Sequence, residues 1–339
     1  MTPVELSRTV LRAVRSAVVM GELKVAVPER AVVTVPGAGG SGEYATNIAL
    51  QLARPAGQSA RRVAEILSPY LLRADDGIRD VVVTGPGFLN FSLAGSGGLV
   101  SEVLRSGVRY GHVDQGTGQV VRLRAPQELR ALVVMDSLAR ILRSQGVGVE
   151  TGATGQQLHD HPGVVVRPVP APSDPFVLGA DAGRWALLYP APHDRPRIGG
   201  EHLVQRESNP LFRVRYAHAR TRALSSNAAD LGFGAVAGDA IGMSGGPYGS
   251  YGSYGPVLAA VSDHPRVLAA AATHHDPSRL ARHLVVVADA VMPVLPGVLP
   301  RGGEKPSATH RARLALVEAV GAVLAGGLSL LGIDAPDHL

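Results

Sequence analysis

The chain has 339 residues, 45% of them apolar, and a formal net charge of +5 at neutral pH. This apolar content excludes wholesale disorder, and the length predicts two or three domains with buried cores. Lys24 and Lys305 are the only lysines. The basic charge is therefore almost all arginine, which suits phosphate binding, although a genome-wide bias toward arginine would give the same composition. The lack of cysteine excludes disulfides and thiol nucleophiles and fits a cytoplasmic protein.

The first residues predict a capped amphipathic helix. Thr2 and Glu5 have the spacing of a capping box, and Pro3 suits the first turn. Glu5 and the arginines that follow interrupt the apolar residues, so a signal peptide is not expected. No continuous apolar run reaches the roughly 18 residues that a bilayer requires, so a membrane partner is not expected either.

Residues 1–112 alternate helix and strand patterns, which predicts a compact α+β domain with an antiparallel sheet. Strand patterns lie at 30–37 and at 78–93, where the second folds back at the turn Gly85-Pro86-Gly87. Further helices are expected at 43–57, 59–71 and 96–107.

Residues 113–205 predict a short α/β segment, and residues 206–339 predict an all-α helical bundle. The middle segment has a strand at 119–126, a helix at 127–146, a Pro-rich extended stretch at 161–175, and a helix or strand at 178–192. The bundle has helices at 209–232, 256–273, 277–295 and 310–333. A Gly/Ser/Tyr-rich insert at 238–255 predicts a loop.

Five stretches, in order, resemble the arginyl-tRNA synthetase family. GEYATNIALQLA (42–53) and GPGFLNFSL (85–93) resemble signatures of its N-terminal appended domain, and RYGHVD (109–114) resembles the exit from that domain. LGADAGRWALL (178–188) and then NPLFRVRYAHAR (209–220) resemble the end of its catalytic core and the start of its anticodon-binding bundle, and the stretch 314–336 is similar to the last helix and tail of that bundle. The resemblance implies a tRNA-binding domain at 1–112, a shrunken catalytic remnant at 113–205 and a DALR-type bundle at 206–339.

The middle segment departs from this family. In the family, an H-x-G-H stretch opens a helix and its histidines hold the ATP phosphates. Here the helix carrying MDSLARIL (135–142) follows Ala125, Pro126, Gln127 and Glu128 at those four positions. Alanine and proline side chains cannot donate hydrogen bonds, and Glu128 would repel a triphosphate. No K-M-S-K-like loop precedes Leu178, so the resemblance predicts no catalytic residues, no cofactor and no adenylate chemistry.

The resemblance assigns a D-loop contact to the Gly-Phe-x-Asn turn. By position, Phe88 would stack on an exposed base of the tRNA D-loop and Asn90 would hydrogen-bond the edge of that base. The alternative is that Phe88 and Phe91 belong to the core and Asn90 terminates the turn.

The helix at 209–232 carries the predicted anticodon contacts. Arg213, Tyr216 and Arg220 fall at i, i+3 and i+7, so one stripe presents two guanidiniums and a phenol. The resemblance places this helix against the anticodon stem-loop, and Leu339 stands where family members often end in methionine. The alternative is a solvated arginine-rich face with Tyr216 and His218 packed between helices.

No metal site is predicted, because HDHP (159–162) and THHD (273–276) both lack helical i, i+4 ligand spacing. The resemblance therefore implies a non-catalytic tRNA-binding protein of the cytoplasm that recognises tRNA-Arg. Its partner would be a protein that acts on that tRNA. Two alternatives remain open: an active arginine–tRNA ligase, and a protein-interaction module that reuses these surfaces.

Overall fold

A computed structural model describes residues 3–34, 36, 44–75, 77–93, 96–153, 163–238, 241 and 252–339. The chain divides into two compact units, the first extending to Leu99 and the second beginning at Val100. The predicted three-domain division, with boundaries after residues 112 and 205, stays a prediction.

The first unit is α+β with an antiparallel sheet, as the sequence predicts. Its elements are α1 (Pro3–Val19), β1 (Val33–Thr34), β2 (Tyr44–Thr46), α2 (Ile48–Ala56), α3 (Ala60–Ala74), β3 (Ile78–Thr84), β4 (Phe88–Leu93) and the start of α4 (Ser96–Ser106). The strands run antiparallel in the order β1-β2-β4-β3. Leu6 and Val14 of α1 pack with Ile48, Leu67 and Phe91 in a core from which water is excluded. The predicted amphipathic helix is confirmed, while its proposed cap Thr2 lies outside the described residues.

The prediction of one helix over 43–57 is wrong at its N-terminal end. Tyr44, Ala45 and Thr46 form β2, with Tyr44 paired to Phe91 of β4, and α2 begins only after Asn47. A helical periodicity over so few residues is overridden here by the sheet hydrogen bonds to β4.

The second unit joins a small parallel sheet to a helical bundle, which confirms the predicted fold class. The sheet elements are β5 (Val120–Ala125), α5 (Leu129–Ser144), β6 (Gly148–Ala153) and β7 (Val164–Val165), with strand order β6-β5-β7. The remaining helices are α6 (Ala180–Leu188), α7 (Pro210–Asp230), α8 (Gly255–Thr273), α9 (Ser278–Val291) and α10 (Ala308–Leu331). The sequence did not predict β6, and it left open whether the segment at 178–192 is a helix or a strand. The predicted insert at 238–255 lies mostly outside the described residues.

Two segments in the part of the chain described here are long enough and on average apolar enough to cross a membrane, although charged residues interrupt both. Ser278–Gly297 and Ala308–Leu331 have mean hydropathies of 1.4 and 2.1, but 56% and 78% of their residues are buried inside the protein. Such burial is typical of core helices in a bundle, where helices are apolar on most faces.

The C-terminal end of α10 is held by side chains of α5 and α6. Ser137 Oγ and Arg184 Nε donate to the carbonyl oxygen of Leu331, at 3.2 and 3.1 Å, and Arg140 Nη1 donates to the Ser329 carbonyl oxygen at 3.4 Å. The last carbonyls of a helix lack intrahelical partners and carry a partial negative charge, so these donors stabilise the helix end.

Candidate nucleic-acid interface

The turn between β3 and β4 requires its two glycines. Gly85 and Gly87 have φ angles of 52° and 138°, which side-chain-bearing residues rarely adopt. A Cβ on Gly87 would lie 2.7 Å from the backbone of Ala60, at the start of α3. The turn is thereby fixed both by its own backbone and by its close approach to α3.

Phe88 and Asn90, which follow this turn, differ in their exposure to solvent. The Phe88 side chain is 41% exposed, whereas Asn90 is only 2% exposed. Asn90 Nδ2 donates to Thr84 Oγ1 at 2.7 Å and to the Val82 carbonyl oxygen at 3.2 Å. Phe88 therefore presents an open ring, while the Asn90 amide group holds the hairpin together. The predicted contacts of both residues with a D-loop stay predictions.

Helix α7 begins where the sequence predicts, at Asn209 and Pro210. Asn209 Oδ1 accepts a hydrogen bond from Leu211 N at 3.1 Å, which caps the helix. Asn209 Nδ2 donates to the carbonyl oxygens of His202 and Val204, at 2.9 and 3.0 Å. This one buried side chain fixes both the helix start and the loop that precedes it.

The predicted stripe on α7 is only partly available to an RNA. Arg213 Nη1 lies 2.8 Å from both carboxylate oxygens of Asp289. Tyr216 is half-buried and stacks on Phe212, with ring centroids 5.4 Å apart. Arg220 is exposed, and it has no ion pair with any other described residue. Within the stripe, Arg220 is thus the guanidinium that meets solvent without a carboxylate partner among the described residues.

Two further arginines of α7, Arg215 and Arg222, also have carboxylate partners. Arg215 Nη2 lies 3.3 Å from Asp181 Oδ2, and Arg222 Nε lies 3.0 Å from Asp337 Oδ1. His218 is buried between helices, where its Nδ1 lies 3.0 Å from the Pro336 carbonyl oxygen. Burial lowers the pKa of His218, so the ring is neutral at physiological pH. The packed alternative is therefore confirmed for His218.

A pocket of about 310 Å³ opens between the starts of α6 and α7. Its walls combine apolar side chains with the ion pair of Asp181 and Arg215. Leu339, which is 55% exposed, forms part of the wall beside Phe212. The other lining residues are Leu178, Gly179, Ala180, Ala182, His202, Leu203, Val204, Gln205, Asn209 and Leu211. The volume lies at the small end of the range for ligand pockets, and the mixed lining suits a small planar group with polar edges.

The N-terminus of α5, the position of the family's ATP signature, is occupied by a carboxylate of the chain itself. Glu128 is the N-cap residue, and its two carboxylate oxygens accept from Arg130 N at 3.0 Å and Ala131 N at 2.8 Å. A phosphate at a helix N-terminus needs such amide groups free and is repelled by a neighbouring carboxylate. A phosphate at this helix start would therefore have to compete with the Glu128 carboxylate for these two amide groups.

Arg130, directly after this cap, is buried completely. Its guanidinium lies within hydrogen-bond distance of five backbone carbonyl oxygens, and burial lowers its pKa. Those oxygens belong to Val169, Leu187, Pro190, Ala191 and Asp194. Arg130 thus ties α5 to the segments before and after α6 and contributes no free charge to a substrate.

The remaining candidates from the sequence do not form a metal centre in the described residues. Asp276 of THHD accepts from Ser278 N and Ser278 Oγ, at 3.1 and 2.7 Å, and so serves the start of α9. No group of three or more metal-ligating side chains occurs in the described part of the chain. HDHP (159–162) lies outside it.

Sequence reasoning missed the acidic partners of α7 and the pocket beside it. Asp181, Asp289 and Asp337 come from α6, α9 and the last residues of the chain, so no local spacing links them to their arginines. The signal that could have indicated such partners is the density of arginine on α7, because a half-buried guanidinium requires a counterion or acceptor.

Two family models match the chain. The arginyl-tRNA synthetase N-terminal domain matches residues 5–93, and the DALR anticodon-binding domain matches residues 214–339. Among curated proteins, the arginine–tRNA ligase of Frankia alni is 38% identical over 196 residues, which cover 54% of this chain and 34% of that protein. The ligase of Renibacterium salmoninarum is 42% identical over 164 residues, covering 44% and 30%. The matched regions thus span about a third of these relatives' length.

Two solved structures share the fold. Thermus thermophilus arginyl-tRNA synthetase aligns with a TM-score of 0.68 and 14% identity, and the alignment spans 100% of both chains. Plasmodium falciparum arginyl-tRNA synthetase aligns with a TM-score of 0.63 and 8% identity over 99% of both chains. The fold agrees with the two matched domains, and the chain belongs to the arginyl-tRNA synthetase family.

Proposed function

We propose that this protein binds tRNA-Arg through the β3–β4 turn and the α7 face without aminoacylating it. Membership of the family and the matched anticodon-binding domain support the tRNA part. The observation that carries the non-catalytic part is the Glu128 carboxylate, which occupies the amide groups at the start of α5. An ATP phosphate would have to displace an anion that is covalently part of the helix cap.

The size of the parallel sheet supports the same conclusion. In the described residues this sheet has three strands, of which β7 has two residues. A nucleotide-binding α/β domain of the doubly wound type uses a larger parallel sheet with helices on both faces. We therefore assign no catalytic residue, metal or cofactor to the chain.

On the first unit, Phe88 is the residue proposed to contact the D-loop. Unpaired RNA bases are commonly held by stacking on aromatic rings, and an exposed ring on a rigid turn loses little entropy when a base stacks on it. Asn90 then acts chiefly as a positioning residue, because its amide group already bonds Thr84. Its predicted hydrogen bond to a base edge would use the remaining acceptor oxygen.

On the second unit, the α7 face is proposed to receive the anticodon stem-loop. Arg220 offers an exposed guanidinium for a phosphate, and Tyr216 with Phe212 offers a stacked aromatic pair. The adjacent pocket, with Leu339 at its wall, is of a size to admit one unstacked base. Arg213 would contact the stem-loop only after its ion pair with Asp289 breaks.

The proposal is tested by measuring binding to tRNA-Arg and to a non-cognate tRNA over a salt series. The wild type is expected to prefer tRNA-Arg, and Phe88→Ala combined with Tyr216→Ala is expected to remove that preference. Leu72→Ala is a matched control for Phe88, because Leu72 is 40% exposed in the same unit. Loss of about 1–3 kcal/mol is expected for each stacked base that is removed.

Two results would contradict this proposal. Arginine-dependent ATP–pyrophosphate exchange would show that the protein activates an amino acid. Equal, weak and steeply salt-dependent binding to both tRNAs would mean that only a basic surface remains. In that case the β3–β4 turn and the α7 face would recognise another protein, which is the alternative function.

A further inference from the structure

The last residues of the chain lie along α7. Residues 333–339, here called the tail, begin at the buried Ile333; Asp334 and residues 337–339 are exposed, while Ala335 and Pro336 are half-buried. The Pro336 carbonyl oxygen lies 3.0 Å from His218 Nδ1, and Asp337 Oδ1 lies 3.0 Å from Arg222 Nε. The tail is therefore anchored at its start and held on α7 by one backbone contact and one ion pair.

A third contact links the tail to the pocket. Asp181 Oδ1 accepts from the backbone N of Asp334 at 3.3 Å, while its Oδ2 pairs with Arg215. Leu339 then forms part of the pocket wall. Asp181 thus couples the tail to an arginine of α7, and the tail shares the pocket proposed to admit a base.

We propose that the tail is an intramolecular competitor of RNA, with the Asp337 carboxylate occupying Arg222 in place of an RNA phosphate. This inference rests on the proposed function, because it concerns regulation of the α7 face. A carboxylate and a phosphate oxygen present similar acceptors to a guanidinium, and one arginine side chain cannot pair fully with both. Binding of a stem-loop therefore requires Asp337 to leave Arg222.

The ion pair between Arg222 and Asp337 is weak enough for an RNA phosphate to displace Asp337. The side chains of Arg222 and Asp337 are 54% and 55% exposed, and exposed ion pairs are individually weak. Release of Asp337 from Arg222 does not require the Pro336 contact with the buried His218, the Ile333 side chain or the helix cap at Gly332 to break. The exchange thus costs one exposed ion pair and leaves the bundle core intact.

The test uses the full chain and a labelled anticodon stem-loop of tRNA-Arg, titrated at neutral pH between low and moderate salt. Asp337→Asn keeps the size of the side chain and removes its charge. It should bind the stem-loop roughly three- to ten-fold more tightly at low salt, because Arg222 becomes free to meet a phosphate. The gain should shrink as the salt concentration rises, because salt also screens the exposed Arg222–Asp337 pair that competes with the phosphate.

Asp114→Asn is the matched control, because it breaks another exposed Arg–Asp pair, with Arg109 at 2.9 Å, and changes the net charge equally. It should leave stem-loop affinity unchanged. In the Arg222→Gln background, Asp337→Asn should give no gain, since the released guanidinium is absent.

The outcomes separate this inference from the proposed function. Stem-loop binding by the wild type, with no gain in Asp337→Asn beyond the Asp114→Asn control, overturns the competition alone. A gain that persists with Arg222→Gln also overturns it, because the effect would then be general charge. No stem-loop binding by the wild type or by Asp337→Asn overturns the anticodon part of the proposed function together with the tail.

Discussion

Three histidines from distant segments meet in the second unit. The rings of His264 on α8 and His283 on α9 lie 5.3 Å apart, and His112 precedes β5. Each ring has one buried nitrogen with no hydrogen-bond partner among the residues described. Burial lowers the pKa of all three, that of His283 to about 4 and that of His264 well below 6.5. We therefore expect the folded second unit to be sensitive to mild acid.

The sign and magnitude of the change in stability with pH follow from the numbers of protons that the folded and unfolded states bind. Asp263 and Arg266 face His283 with opposite charges, and Arg109 and Asp114 do the same for His112, so burial is the main cause of each shift. Since the folded pKa of His283 lies below 6.5, the unfolded chain binds more protons between pH 6.5 and 4, and stability is lost as pH falls through that window. His283 alone should cost about 2 kcal/mol at pH 5 and about 3 kcal/mol below pH 4.

Urea unfolding followed by the fluorescence of Trp185 measures this loss, because the only tryptophan is buried in the second unit. His283→Phe keeps a ring against His264 and cannot be protonated, so its stability should fall about 2 kcal/mol less than the wild type between pH 7 and 5. His193→Phe, at an exposed position, is the control and should follow the wild type. Parallel loss of stability in wild type and His283→Phe would refute this account of the cluster.

Three further perturbations have expected outcomes. Arg130→Met should destabilise the second unit by about 3–5 kcal/mol in urea unfolding, because five carbonyl oxygens lose their donor; the exposed Arg143→Met on the same helix should cost under about 1 kcal/mol. Glu128→Ala should lose about 1 kcal/mol of helix capping and still show no ATP–pyrophosphate exchange; exchange in that variant would contradict the assignment of no catalytic residue to the rest of the chain. Gly87→Ala should destabilise the first unit by about 1–3 kcal/mol, seen by circular dichroism, because of its φ of 138° and the approach of Ala60; unchanged unfolding would contradict the fixed turn.

The elements that the sequence predicted well carry strong local signals. Helix α7 has a capping asparagine and a proline at its start, and the β3–β4 hairpin has alternating apolar residues around Gly85-Pro86-Gly87. Strand β6 was missed because GVETGA has two glycines and a glutamate, so it owes its conformation to parallel pairing with β5. The three residues of β2 were misassigned for the same reason, since their strand form depends on β4.

The candidate site was less predictable, because its electrostatics depend on tertiary partners. The spacing of Arg213, Tyr216 and Arg220 correctly predicts one helical stripe, but Asp289 neutralises Arg213 from 76 residues away. Likewise, Phe88 and Asn90 are two residues apart on one strand, yet only the folded hairpin directs the Asn90 amide onto Thr84. Spacing along the sequence therefore predicts which face of a helix or strand carries a residue. Contacts in the folded protein determine whether its side chain is available to bind RNA.

Helix α5 makes structural contacts that do not depend on adenylate chemistry. Its first turn is capped by Glu128 and anchored by Arg130, while Ser137 and Arg140 donate to the last carbonyls of α10. The contacts of Ser137 and Arg140 hold the C-terminal end of α10, which is followed by the tail on α7. Removal of α5 would leave the five carbonyl oxygens around Arg130 without their donor, which costs more than the loss of any exposed contact. The helix thus supports the second unit and the end of α10 whether or not it serves a reaction.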